Sequence, residues 1–294
     1  MKETLPPVLG RAVQLKNISR ICARSTSTAA PTPKRTAHRA ISAVLLAVWV
    51  PALIFTVWWF ISTNSTSPYF PPLRVIINRF YELWIIGDAN LSLLPSLRNL
   101  VLGYVIGSLL GIIGGTLVWR SHAVRRATSP IIYFLYVLPA PALLPALIAL
   151  FGIGATRQVA LIAFGAVWPV LLNTLDGMRG IDHVKFFAAR TMKVSPVRQL
   201  WSLVFPGASP QIAAGLRAGL QVSLILMVLS EMVAATEGIG YFILYSQTVF
   251  SILDMWTGIL ALAIVGTVLN YLFVFIEHRL LSWYYRSRAL GRNN

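Results

Sequence analysis

The sequence predicts an all-α integral membrane protein with about six transmembrane helices. Three observations carry this reading. Of the 294 residues, 56% are hydrophobic and only 12% charged, half the ~25% charged content usual in soluble domains. Mean hydropathy is +0.70, and the uncharged runs reach the ~20 residues that a helix needs to cross a bilayer core. The basic residues, 25 Lys+Arg against 9 Asp+Glu for a net charge of +16, sit in short clusters between those runs. A pI near 10.8 usually suggests a nucleic-acid partner. The clustering argues for a membrane protein instead, and no nucleic acid is expected. Low charge density and high apolar content exclude a disordered chain.

The spans follow in order. Residues 41–62 are the apolar part of a charge-free run. Residues 99–119 form the second run. Residues 127–156 form the third, with an apolar core at 131–151, and residues 158–175 the fourth. The fifth reaches 211–236 if Arg217 and Glu231 are admitted, and residues 255–276 make the sixth. This divides the chain into a basic disordered tail (1–39), a first transmembrane helix (40–62) and an outer loop with a short amphipathic helix (63–93). A core domain (94–280), containing a long loop at 176–210, and a short tail (281–294) complete it. Lys+Arg in alternate connecting segments number twenty against three. The positive-inside rule then puts both termini and the 176–210 loop in the cytoplasm, where the basic clusters can meet anionic membrane lipid. The N-terminal tail has the composition of a transit peptide, but its plainer reading is a disordered cytoplasmic tail.

Catalytic signals are absent. Cys22 is the only cysteine, so no disulfide framework or cysteine metal site is expected. His38, His122, His183 and His278 lie far apart and make no His-Glu-x-x-His pattern; there is no Gly-x-Ser-x-Gly elbow and no P-loop. No catalytic residue, metal or cofactor is assigned, and the chain should not bind ATP by itself.

Four features carry function. Gly103, Gly107, Gly111 and Gly115 recur every four residues, about one helical turn, and so line one face. Such a face suits close helix packing within one subunit, or a subunit interface or sliding surface. Pro139, Pro141 and Pro145 interrupt the third run. Broken helices at membrane depth line cavities or are buried, so this segment is either part of a translocation path or a kinked packing helix. Glu231 stands at the outer end of the fifth span, fourteen residues after Arg217. It is a helix-end anchor able to snorkel, or a gate on the pathway. The loop at 176–210 is too long for a simple connector. Residues 181–192 read as one helix and 197–205 as a second, with Ser195 as N-cap, Pro196 in the first turn and Pro206 as terminator. Two short helices projecting from a bundle suit docking to a cytoplasmic partner, or lying on lipid headgroups.

At this loop the sequence resembles the permease subunits of binding-protein-dependent ABC importers. Their loop carries Glu-Ala-Ala, three residues, Gly, nine residues and Ile-x-Leu-Pro. The matching stretch here is Phe187-Ala188-Ala189-Arg190-Thr191-Met192-Lys193, then Leu203-Val204-Phe205-Pro206. Leu138 to Gly154, Pro206 to Arg217, Ser230-Glu231-Met232 with Gly238 to Tyr241, and Phe70-Pro71-Pro72 with Ser96 to Gly103 resemble the nitrate, sulfonate and taurine branch. The likeness runs from about residue 68 to 284.

The resemblance implies a type I ABC importer permease-like bundle with cytoplasmic coupling helices. It also implies an inner-membrane location and alternating access driven by a separate cytoplasmic ABC ATPase. A periplasmic solute-binding protein would deliver a small anionic solute, and a second permease subunit, identical or different, would complete the path. The implied ATPase-coupling residues are Phe187, Ala188, Ala189, Arg190, Lys193, Val197, Leu203, Phe205 and Pro206. Two of them depart from the pattern: Phe187 stands for Glu and Lys193 for Gly. These departures leave open weaker coupling, pairing with a permease that carries the intact motif, or divergence without consequence. A stand-alone carrier or channel is the alternative function, although paired broken helices in two halves and intramembrane ion-coupling charges are missing.

Overall fold

A computed structural model describes residues 49–284, apart from residues 51, 64 and 66. The tail at 1–39 with Cys22 and His38, much of the predicted first span, and residues 285–294 lie outside the described residues. The chain forms two units, residues 1–61 and 62–294. Most of α1 (Ala52–Thr63), a shorter apolar helix, belongs to the first. Every regular element among the described residues is helical.

In the larger unit, α2 (Leu73–Phe80) is strongly amphipathic and continues as a π turn over Tyr81–Ile86. A 3-10 turn at Asp88–Ser92 leads into α3 (Leu93–Arg120). Next come α4 (His122–Val137), a 3-10 turn (Ala140–Leu143) and α5 (Leu144–Phe151). The long α6 (Ala155–Arg179) is followed by α7 (His183–Thr191) and α8 (Pro196–Gln199). A π turn at Leu200–Val204 runs into α9 (Phe205–Ala234), and α10 (Ile239–Thr248) and α11 (Ile252–Leu280) complete the unit.

Four helical stretches, Asp88–Arg120, Ala155–Arg179, Pro196–Ala234 and Ile252–Leu280, are long and apolar enough to cross a membrane. The predicted third span is not one helix. Its halves, α4 and α5 with its 3-10 turn, meet at 89°. The packing shows that this broken pair still crosses. Gly103 lies against Val159 and Ile162, Gly107 against Ala163 and Ala166, Gly111 against Val167 and Val170, and Gly115 against Leu171 and Thr174. Residue numbers rise together, so α3 and α6 are parallel, and the chain between them must return from one end of the bundle to the other. The described residues therefore hold five spans.

All four glycines of the stripe are buried. Lipid tails are as apolar as leucine, so helices in a bilayer associate through close packing and polar contacts rather than the hydrophobic effect. An added Cβ on Gly107 would stand 2.5 Å from the Ala163 carbonyl oxygen, which shows how closely the backbones approach. Asn99 donates to Gln158 across the same interface, and the Tyr104 hydroxyl donates to the Leu216 carbonyl of α9 at 3.0 Å. On its other flank α6 meets α9 antiparallel, with Gly177 against Ala208 and Gln211 and Gly165 against Val222 and Leu226. Half of the most apolar stretch of α6 is buried, against 6% for α11. So α6 is the central helix and α11 lies at the edge of the bundle, with few fully buried residues.

These directions define two ends. The ends of α3 and α6, with α7 and α8, make the loop end. The start of α3, α2 and α10 make the opposite end. There α2 is held by Arg79 Nε, which donates to Asp254 Oδ1 at 2.7 Å, and by buried Trp84, whose indole donates to Thr257 at 3.1 Å. The bonds to Asp254, and then to Glu82, raise the Arg79 guanidinium above its usual range.

Candidate functional site

The loop end carries the departures from the family pattern. Asp182 caps α7 by accepting from the Val184 amide at 2.9 Å, which starts the helix two residues later than residue 181. At its other end Val194 N donates to Ala189 O at 3.0 Å and Lys193 N to Arg190 O at 2.9 Å. This is the Schellman arrangement, whose left-handed position is usually glycine. Lys193 holds that position with φ of 53°. The turn of the family motif is thus made by a residue with a Cβ, at a steric cost.

The second loop helix departs from the expectation. Ser195 is the N-cap residue, but its side chain makes no capping bond. Instead the Gln199 side chain donates to Val194 O at 2.7 Å. Pro206 does not terminate the helix; α8 passes through the π turn into α9 as one long span. The π turn widens the backbone ahead of the pyrrolidine ring, and Pro206 falls in the first turn of α9, where a missing N–H costs little.

The loop has two faces. Met178, Ile181, Val204, Ala208 and Ile212 bury together, with Phe186, Leu200 and Phe205 packed against them. Val184, Phe187, Met192, Val197 and Trp201 point outward, each between 65% and 77% exposed. Ala188 and Arg190 are exposed as well, whereas Ala189, Leu203 and Pro206 are half-buried. Of the apolar residues at helical spacing on the second helix, Leu200 and Val204 face the bundle and Val197 and Trp201 point outward.

Among the three prolines, the break at Leu138 and Pro139 is extended backbone. Pro141 and Pro145 then stand in the first turns of the 3-10 helix and of α5, positions that remove no helical hydrogen bond. They therefore start new helices rather than kink an old one. All three are exposed, while Ala140, Leu143, Leu144 and Leu147 pack on the core of α3, α6 and α9.

At the opposite end Glu231 is 1% exposed and does not snorkel. Its Oε2 accepts from the Gly240 amide at 2.8 Å, at the start of α10. Arg217 is exposed and stands apart from it. Sequence reasoning missed Arg157, the one residue between the third and fourth uncharged runs. It is fully buried and donates to the Ser230 and Ala234 carbonyls at 3.1 and 2.6 Å, capping the C-terminus of α9. A cation suits that end of the helix dipole. Ser96, also missed, accepts from the Ile239 amide at 2.9 Å. Its signal was a serine in the first turn of an otherwise apolar span. Among the described residues no His, Cys, Asp and Glu group is arranged to hold a metal.

Residues 103–282 match the family described as binding-protein-dependent transport system inner membrane component. The taurine transport system permease protein TauC of Escherichia coli K12 is 32% identical over 250 residues, covering 82% of this chain and 90% of its own. The putative aliphatic sulfonates transport permease protein SsuC of Bacillus subtilis 168 is 29% identical, over 80% of this chain and 86% of its own. The nitrate import permease protein NrtB of a Synechocystis strain is 26% identical, over 77% and 85%. The inward-facing MetNI methionine ABC transporter superposes with a TM-score of 0.52 at 18% identity, over 64% of this chain and 92% of that one. An amino acid ABC transporter solved with histidines gives 0.51 at 19% identity, over 72% and 96%. These matches favour an importer permease over a stand-alone carrier or channel.

Proposed function

The chain belongs to the family of binding-protein-dependent transport system inner membrane components, and we propose that the solute it carries is a small anion, or a zwitterion with an anionic group, of the sulfonate, nitrate or taurine type. It is the membrane-spanning permease subunit of an ABC importer. The solute class rests on the printed roles of TauC, SsuC and NrtB. The loop end faces the cytoplasm of a bacterial inner membrane, an orientation supported by the excess of basic residues at that end. A cytoplasmic ATPase pair docks there, a periplasmic binding protein delivers solute at the opposite end, and a second permease completes the path.

The observation that carries the docking role is the outward apolar patch of Val184, Phe187, Met192, Val197 and Trp201 on a loop whose other face is anchored in the bundle. Apolar side chains on projecting helices suit a groove on a partner protein. ATP-driven closure of the ATPases would move α7 and, through the unbroken α8–α9 span, the bundle itself. The prolines at 139, 141 and 145 and Glu231 are assigned to the pathway wall and its outer gate. Because Lys193 completes the turn that glycine makes in the family, the coupling element keeps its shape, and Phe187 replaces a charge contact with an apolar one.

The test reconstitutes the permease with its ATPase and binding protein in proteoliposomes. Phe187→Ala should cut binding-protein-stimulated ATP hydrolysis and uptake together by roughly tenfold, as expected when an interface anchor worth more than ~1 kcal/mol is truncated. Unaltered uptake in a variant that melts like the parent refutes the docking role. Uptake of a neutral amino acid in preference to a sulfonate, nitrate or taurine refutes the solute class.

A further inference from the structure

A cavity of about 790 Å³ opens at the loop end between the ends of α3 and α6, the start of α4, and α7 and α8. That volume falls within the ~300–1,000 Å³ of small-molecule sites. Its wall includes Arg120, Arg125, Arg179, Arg190, His122 and His183, and no acidic side chain. Two of these cations have local partners: Arg125 Nη2 lies 2.8 Å from His122 Nδ1, and Arg179 Nη1 lies 3.5 Å from Asp176. Arg120 and Arg190 have no acid within ion-pair distance among the described residues. Two guanidiniums without an acid, Arg120 and Arg190, on a wall shared with Arg125 and Arg179, make a site for a multiply hydrogen-bonded anion, for which arginine's fork geometry is suited.

The remaining wall identifies the anion's carrier. Leu117, 60% exposed, and Trp119 lie in the last turn of a membrane-crossing helix and line the same cavity as the cations. A free phosphate needs neither an apolar wall nor this volume. A phospholipid needs both: cations at headgroup depth and an apolar flank where its chains descend. We propose that this cavity is a binding site for the headgroup phosphate of an anionic phospholipid, which ties α7 to the ends of α3 and α6. The site is the same whichever compartment the loop end faces.

Native mass spectrometry of the full chain in neutral detergent tests this, using phosphatidylglycerol, phosphatidylcholine and inorganic phosphate as probes. The parent should retain phosphatidylglycerol in preference to phosphatidylcholine. Arg120→Gln with Arg125→Gln should weaken phosphatidylglycerol retention roughly 30-fold, from two juxtamembrane cations. Arg126→Gln with Lys185→Gln, exposed cations at the same end outside the cavity wall, should leave it intact. Should the first pair not fold, Leu117→Glu places an acid in the cavity from an exposed position and should lower the same preference. Equal loss in the two double variants overturns the proposal, because any basic surface would then suffice. So does equal retention of both lipids by the parent. Displacement of phosphatidylglycerol by millimolar phosphate assigns the site to a free anion and also overturns it.

Discussion

Replacing Gly107 by alanine adds one methyl group where α3 and α6 are closest. The new Cβ would lie 2.5 Å from Ala163 O, 2.8 Å from Ala166 Cβ and 3.1 Å from Ala163 Cα. Two of these three atoms are backbone, and no rotamer change moves them. The helices must part by about 0.9 Å there, from 2.5 Å to the 3.4 Å at which ordinary contact begins. A gap of ~0.5–1 Å forfeits a quarter to a half of each dispersion contact, and the loss spreads along the stripe to Gly103, Gly111 and Gly115. Overpacking of this kind costs ~1–3 kcal/mol, offset by ~1 kcal/mol of helix propensity, for a net loss of up to about 2 kcal/mol. Gly114→Ala is the matched control on the same helix. Its Cβ would meet only the end of the Leu171 side chain, at 3.2 Å to Cδ1, so the propensity gain should survive. Thermal unfolding of the purified chain in one detergent, followed by tryptophan fluorescence, reads both. Gly107→Ala should melt below the parent, by up to roughly 8 °C, and Gly114→Ala at or above it. If Gly107→Ala melts as high as Gly114→Ala, the close-packing account of the stripe is wrong.

Three further outcomes are expected. Lys193→Gly should relieve the left-handed strain at φ of 53° and stabilise the end of α7 by about 1 kcal/mol, seen as several-fold slower hydrogen exchange at Lys193-side amides of α7; faster exchange would contradict the Schellman reading. Arg157→Met should release the Ser230 and Ala234 carbonyls, and exchange in residues 231–236 should rise about tenfold, in line with loss of a charged hydrogen bond worth ~1.5–3 kcal/mol; unchanged exchange would mean the cap contributes nothing. Gly238→Ala and Gly152→Ala both place alanine at positive φ, 113° and 72°, but only at Gly238 does the new Cβ meet a neighbour, Glu231 Cδ at 2.5 Å. Both should lose ~1–3 kcal/mol to backbone strain, and Gly238→Ala should melt clearly lower; equal melting temperatures would show that Glu231 moves freely.

Much of the fold was legible because membrane spans are written in one dimension. Length, apolarity and charge placement locate α3, α6, α9 and α11 without reference to neighbours, since bilayer insertion acts on each helix separately. The two helices of the 176–210 loop were legible for a related reason: Ser195 and Pro196 mark the start of the second one locally. Proline was harder to read: Pro206 reads as a stop, and the prolines at 139, 141 and 145 leave a path-lining break and a kinked packing helix both open, because a proline's effect depends on where in a helix it falls. The π turn before Pro206 and the extended break at Pro139 are set by how the loop and α5 pack on the bundle.

The sequence by itself determined that the chain is a helical membrane protein, which segments cross, and which family motif its long loop resembles. These follow from periodicity, composition and spacing along the chain. Only the tertiary structure decided which partners those segments choose. It set α3 parallel to α6 through the glycine stripe, and so made the bent α4–α5 pair a crossing. It buried Arg157 and Glu231 at helix ends, where the sequence alone did not show their partners, and it gathered Arg120, Arg125, Arg179 and Arg190 from four helices around one cavity. The physical reason is that close approach and desolvation depend on distances between segments far apart in the chain, and a single sequence carries no measure of those distances.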